Sequence, residues 1–329
     1  MRKLGVFWGI AMIAAVVLIA ASGCRQQAVS DEHEDGDHDE MPELSAVDLG
    51  GKKLQVVATT SMVGDVVRNV GGDLIELTML VPLGSDPHAF VPTPQDMAGV
   101  ADAHVLFANG LGLEEFLPNL LKGVGGSLPV IPVSYGIEPH QGEHEEAHQG
   151  DHREGVDPHT WLDPNHVMTW THNIAGALSA LDPAHAEAFA ANAEAYIVRL
   201  QDLDAWIETQ IAEIPEANHK LVTDHTAFGY FAARYGLEQV GAVFPGYSSL
   251  SEPSAQELAQ LEDAIREAGI KAVFVGLTVN PDLAERVVQD TGARLVFLYT
   301  GSLSDAAGPA SDYISYMRYN VVAIVDALR

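Results

Sequence analysis

Residues 182–215 read DPAHAEAFAANAEAYIVRLQDLDAWIETQIAEIP. Asp182 is a good helix N-cap and Pro183 suits a first helical turn. No further Gly or Pro intervenes until Pro215 stops the run. Tyr196, Leu200, Leu203, Ile207 and Ile211 recur at steps of three or four, which marks one face of a helix. About 32 residues at 1.5 Å each predict a rod of roughly 48 Å. That is long for a globular helix, and long enough to run the height of two domains and connect them.

The sequence on either side fits two such domains. Before the rod, Leu54–Ala58, Leu74–Val81, Ala103–Phe107 and Pro129–Val133 read as strands, with helices at Met62–Val70 and Gln95–Ala101. After it, strands are expected at Leu221–Thr223, Gln239–Phe244, Ala272–Val275 and Leu295–Tyr299. Helices are expected at Ala227–Tyr235, Ala255–Ala268 behind Ser254, Pro281–Asp290 and Ile314–Leu328. Strand–helix alternation argues for α/β lobes, each with a mostly parallel sheet flanked by helices. The expected division is an N-terminal lobe over 53–180, a linking helix over 181–215 and a C-terminal lobe over 216–329. The segment EPHQGEHEEAHQGDHREG (138–155) interrupts the first lobe. It is polar, His-rich and without a period, so it reads as a mobile loop.

The chain start speaks to compartment. Arg2 and Lys3 precede an apolar run from Leu4 to Ala21, followed by Ser22, Gly23 and Cys24. A basic start, an apolar middle and small residues before a break make a secretory signal over 1–23. Cys24 is the chain's single cysteine. Ser22, Gly23 and Cys24 resemble the lipobox of bacterial lipoproteins, although Ala21 stands where a larger aliphatic residue is usual. That resemblance implies cleavage before Cys24 and a sulfur carrying lipid. With that sulfur acylated, no thiolate metal site or internal disulfide is left. Residues 24–52, including DEHEDGDHDE at 31–40, read as a disordered acidic and His-bearing tether.

Composition narrows the partner. The 329 residues carry 17 Lys and Arg against 46 Asp and Glu, a net charge of −29. A phosphate backbone would be repelled, so nucleic acid is excluded as a partner. A cation is a natural ligand.

The 14 histidines are unevenly placed, six of them (33, 38, 140, 144, 148, 152) in the two polar segments. Three others stand beside predicted strand or helix ends. His88 lies in GSDPHAFVPTPQD (84–96), a loop stiffened by prolines 82, 87, 92 and 94. His159 lies in DPHTWLDP (157–164), ahead of a helix beginning near Pro164. His225 lies in VTDHTAFGYF (222–231), directly after a short strand. Open α/β sheets bind ligands outside the carboxyl ends of their strands. His88 and His225 fit that rule in different lobes, so a ligand shared by both sits in the cleft between them. Three neutral imidazoles suit zinc, with one oxygen to complete four ligands. Calcium and magnesium want mainly oxygen. His166 and His172 read as ordinary helix-face residues.

The motifs GSDPHAFVPTPQD, DPHTWLDP, HTAFGYF, SEPSAQEL (251–258) and YISYMRYN (313–320) follow one another in this order. Together they resemble the metal-binding receptors of bacterial zinc and manganese ABC importers, the cluster A-I type, across residues 54–329. The resemblance implies two lobes joined by one rigid helix, a metal in the cleft, and ligands at His88, His159 and His225. In that family imidazole at the third position accompanies zinc and Glu accompanies manganese, as ligand hardness would have it. Zn2+ is therefore expected ahead of Mn2+. A His-rich loop like 138–155 also accompanies zinc members. His140, His144, His148 and His152 are expected to collect metal weakly and raise its local concentration.

This chain departs from the family pattern at two glycines. Gly301 falls where the family has a fourth ligand, an Asp; Asp305, four residues later, is the expected substitute, and otherwise water or a loop histidine fills the position. Gly276 stands where many relatives place Glu. The implied partners are an ABC importer permease and, through acylated Cys24, the lipid bilayer of the cell membrane, on its periplasmic face or at the cell surface. The receptor is expected to be a monomer and not an enzyme. The competing readings are a manganese or iron receptor of the same family, a zinc hydrolase built on three His and a water, and a zinc-sequestering adhesin.

Overall fold

The computed structural model describes residues 41–125, 128–141 and 155–329. The signal, Cys24 and residues 25–40 of the tether lie outside the described residues, as do His144, His148 and His152. Among the described residues no helix is long and apolar enough to cross a membrane.

Two four-stranded sheets form, both wholly parallel. The first contains β1 (Leu54–Ala58), β2 (Ile75–Met79), β3 (Val105–Ala108) and β4 (Val130–Pro132) in the order β2-β1-β3-β4. The second contains β5 (Lys220–Thr223), β6 (Glu238–Ala242), β7 (Ala272–Gly276) and β8 (Arg294–Leu298) in the order β6-β5-β7-β8. The winding is the same in both halves. In each sheet the chain starts in an inner strand, steps outward, then returns to its other side. That reversal opens a crevice at the carboxyl ends of the strands.

Alternation along the strands divides the core. Val57, Leu106 and Val130 face one private cluster with Leu117, Leu120 and Leu121. These leucines come from α3 (Leu117–Val124), which packs beside α2 (Pro94–Ala101). Val222, Val273 and Val275 face another with Leu261, Ile265 and Val287. Leu261 and Ile265 belong to α7 (Ala255–Ala268), Val287 to α8 (Asp282–Thr291). The opposite strand faces, Leu54, Val56 and Ala58 on one side and Leu221, Ala272 and Phe274 on the other, enter a single shared core. Side chains of period two thus bury both sheet faces, as a parallel sheet requires.

The shared core is organised by α5 (Ala186–Ile211). Its stripe Tyr196, Leu200, Leu203, Ile207 and Ile211 is buried as the periodicity demands. α5 packs against α1 (Ser61–Gly71), α4 (Pro164–Leu181) and α9 (Tyr313–Leu328). Cutting Leu203 or Ile207 back to Ala would cost about 2–5 kcal/mol, since both side chains are fully buried.

Three expectations need correction. The helix does not begin at Asp182. That residue has φ −131° and ψ 77° and ends α4, its N–H donating to Leu178 O. Its carboxylate accepts from His185 Nδ1 at 2.6 Å. Pro183–His185 make a 3-10 turn. A residue before proline is pushed away from helical backbone, so α4 ends there and the rod shortens to the 26-residue α5, about 39 Å long. Residues 41–49 of the expected tether are also packed on the protein. Met41, Leu44, Val47 and Leu49 pack against the shared core, and Val47 N donates to Leu181 O at 2.9 Å. Finally, α3 lies in a stretch that no sequence signal had marked. The remaining helix, α6 (Gly229–Tyr235), begins two residues later than the sequence suggests.

Candidate metal centre

Each candidate histidine sits where its segment leaves regular structure. His88 is on the loop following β2. Its N–H donates to Asp86 Oδ1 at 3.0 Å. His159 precedes a 3-10 turn at Thr160–Leu162 and then α4. Asn109, buried after β3, donates from Nδ2 to Pro158 O at 2.9 Å and so fixes the turn one residue ahead of His159. Glu114 in turn accepts from the N–H groups of Asn109 and Gly110 and from Thr59 Oγ1. His225 follows β5, with its O accepting from Thr223 Oγ1.

The structure brings the three rings together. Nε2 of His159 lies 3.2 Å from Nε2 of His88 and 3.1 Å from Nε2 of His225. These are close to the roughly 3.3–3.4 Å between ligand nitrogens that tetrahedral Zn–N bonds of 2.0–2.1 Å give. Among the described residues they form the one group of three or more His, Cys, Asp or Glu with converging ligand atoms. His159 and His225 are buried, at 1% and 4% exposure.

Two carboxylates aim two of the rings. Asp157 Oδ1 accepts from His159 Nδ1 at 2.8 Å, and Asp224 Oδ1 accepts from His225 Nδ1 at 2.8 Å. Each therefore places a hydrogen on Nδ1 and leaves the Nε2 lone pair facing its neighbours, the arrangement a metal-binding imidazole needs. Gly276 N donates to the other oxygen of Asp224 at 2.6 Å. Asp157 Oδ2 is buried without a hydrogen-bond partner among the described residues.

Burial governs the proton affinities. It drives His88 down to about 3, helped by the charge of His225. It drives His159 well below the ordinary imidazole range, helped by His225 and His88. Burial also opposes charge on His225, but Asp224 beside it outweighs burial and raises its pKa. Burial works against the Asp224 carboxylate, yet its contact with His225 keeps it below the usual range. Burial lifts Asp157 to about 8, against the opposing pull of the His159 N–H and of the charge on His225.

Asp305 is not brought to this group. It is exposed, and its Oδ1 accepts from Ala307 N inside its own turn. Gly301 does line the cleft, together with Pro87 and Thr278. His140 stands apart, stacked on Tyr230 with ring centroids 4.2 Å apart. His166 meets the same tyrosine edge-on, and His172 is exposed on α4. The sequence reading missed Asp157 and Asp224, although both lie within two residues of a candidate histidine. It also missed the role of Asn320, whose side chain bonds both the N–H and the C=O of Tyr299 and fixes the path into Thr300 and Gly301.

The family model described as zinc-uptake complex component A, periplasmic, matches residues 56–327. The manganese-binding lipoprotein MntA of Halalkalibacterium halodurans is 35% identical over 279 residues, covering 84% of this chain and 89% of that protein. The iron-binding protein YfeA of Yersinia pestis is 32% identical over 279 residues, covering 83% and 86%. The solved structure of the periplasmic zinc-binding protein TroA of Treponema pallidum superposes with a TM-score of 0.75 at 26% identity, covering 84% of this chain and 99% of that one.

Proposed function

Because this chain belongs to the zinc-uptake component A family of metal receptors for ABC importers, we propose that its own cargo is Zn2+, held in the cleft by His88, His159 and His225. The observation that carries this reading is the spacing of the three Nε2 atoms, 3.1 and 3.2 Å along the two measured edges. Zinc accepts such a nitrogen-rich, four-coordinate set, with solvent as the fourth ligand. Manganese, named for several relatives, favours carboxylate and water oxygens, and the carboxylates of Asp157 and Asp224 are engaged with Nδ1 atoms.

The receptor works outside the cytoplasm, anchored to the membrane through lipid on Cys24. Histidines of 138–155 collect zinc and the cleft retains it. The permease then draws it out through small lobe shifts, because α5 is packed by both lobes and resists a wide hinge.

The test is zinc titration of the chain from Arg25 onward against a competing chelator, beside His225→Ala and a manganese competition series. One tight site, largely lost in the variant and preferring zinc, is expected. Weak multiple binding that ignores the substitution would move the metal to the His-rich segments. Preference for manganese would replace the cargo and leave the receptor role.

A further inference from the structure

Gly301 offers the cleft only backbone, yet its neighbours leave no room for more. A Cβ on Gly301 would lie 2.8 Å from Pro87 Cδ and 3.3 Å from Thr278 Oγ1. Pro87 Cδ is bonded to backbone nitrogen, so it cannot swing aside; the chain around it would have to move. That chain leads directly into His88.

The loop carrying His88 is seated on the opposite lobe at three points. Gly84 N donates to Ser302 Oγ at 2.8 Å. Ser249 Oγ donates to Asp86 Oδ2. The Pro87 ring rests on Gly301. Asp86 in turn holds His88 N–H. How far Pro87 descends thus sets how close His88 comes to His159.

A second glycine repeats the pattern. A Cβ on Gly276 would lie 2.0 Å from Thr300 Oγ1 and 3.0 Å from Asp224 Oδ2. A side chain there would displace the carboxylate that aims His225.

We propose that Gly301 and Pro87 are the specificity-determining pair of this site: the missing side chain at 301 lets Pro87 seat and His88 close on the other two imidazoles, so a carboxylate is kept out and the donor set stays nitrogen-rich. This rests on the reading that the cleft binds zinc. The chemical consequence is selection of a cation content with three imidazoles and solvent over one that needs a protein carboxylate.

The full chain in detergent is titrated with Zn2+ and Mn2+ against a chelator, and its Co2+ form is followed by visible absorption. Gly301→Ala is expected to weaken zinc by about tenfold or more, the low end of an overpacking cost, and to alter the tetrahedral Co2+ bands. Adding Pro87→Ala should restore most of that loss. Gly301→Asp alone should gain no manganese affinity, whereas Gly301→Asp with Pro87→Ala should gain it. Unchanged zinc binding in Gly301→Ala, no rescue by Pro87→Ala, or manganese affinity from Gly301→Asp alone would each overturn the proposal. Failure of the unsubstituted chain to hold zinc in the cleft, seen as no effect of His225→Ala, would instead remove the reading beneath it.

Discussion

Asp224 Oδ1 accepts the Nδ1 hydrogen of His225 at 2.8 Å, which fixes Nε2 as the nitrogen that faces His159. An amide in place of the carboxylate keeps the shape but loses the charge and can present a donor to Nδ1. Asp224→Asn should therefore weaken zinc about 10–100-fold, the usual cost of losing an outer-shell partner. Chelator competition measures it. Affinity equal to the parent chain would mean that ring aim is set elsewhere.

The same carboxylate decides how binding depends on pH. Burial keeps His88, at about 3, and His159 neutral through the whole range from pH 8 to 5.5. His225 is different, since Asp224 outweighs burial and raises its pKa above the ordinary 6.5. A raised pKa means that the proton stays on until a higher pH. Below that point zinc has one proton to displace, and only one. The logarithm of the Kd should then rise by about one for each pH unit lost, and Asp224→Asn should flatten the line. A slope near three would show that all three rings are protonated together. A flat line in the parent chain would show that His225 is already neutral and that Asp224 does not hold a proton on it.

Asp65 joins three elements. Its Oδ2 accepts from Tyr313 N at the start of α9 and lies 3.4 Å from Tyr196 OH on α5, while Asp65 itself is on α1. Asn69 Nδ2 also reaches it. Burial raises its pKa from 3.8 to about 6, the Tyr313 N–H pulls the other way, Asp312 adds to the rise and Arg68 opposes it. The folded state therefore holds this proton more tightly than the unfolded chain does. The resulting stability is complete below about pH 4 and lost as pH climbs to about 6. Asp65→Asn should be more stable than the parent at pH 7 by up to about 3 kcal/mol, with the gap closing near pH 4. Melting curves across pH 4–8 test this, and a less stable variant at pH 7 would show that the charged form is the favoured one.

The elements and the three histidines were legible because each rests on a local signal. β1 is bounded as its apolar run suggests, and α7 starts behind Ser254, whose side chain caps Glu257 N. His88, His159 and His225 stand in short motifs next to strand ends or Pro-stiffened turns. What escaped depends on three-dimensional packing. Met41, Leu44, Val47 and Leu49 look like scattered residues of a polar tether until the shared core gives them a surface. Asp305 looked available because it is near Gly301 in sequence, but its carboxylate is bound within its own turn. The collision between Gly301 and Pro87 joins residues more than 200 positions apart, and no window along the chain contains both.

The ends of the His-rich segment meet. Gln141 and Val156 form an antiparallel bridge, and Asp157 N donates to His140 O at 2.9 Å. Replacing residues 142–154 with a short Gly–Ser turn should therefore ask for little new loop-closure entropy. The contacts of Asn109 with Pro158 O and of Asp157 with His159 N, which hold the turn at His159, stay in the shortened chain. The shortened chain should keep one tight zinc site with its His225 dependence. On the proposed reading that His144, His148 and His152 collect zinc, it should lose a weaker stoichiometry and capture zinc more slowly when the metal is scarce. Equilibrium titration gives the first two and stopped-flow capture the third. Loss of the tight site would place part of the cleft's ligand set in the deleted segment, and an unchanged capture rate would leave that segment without a role in collecting metal.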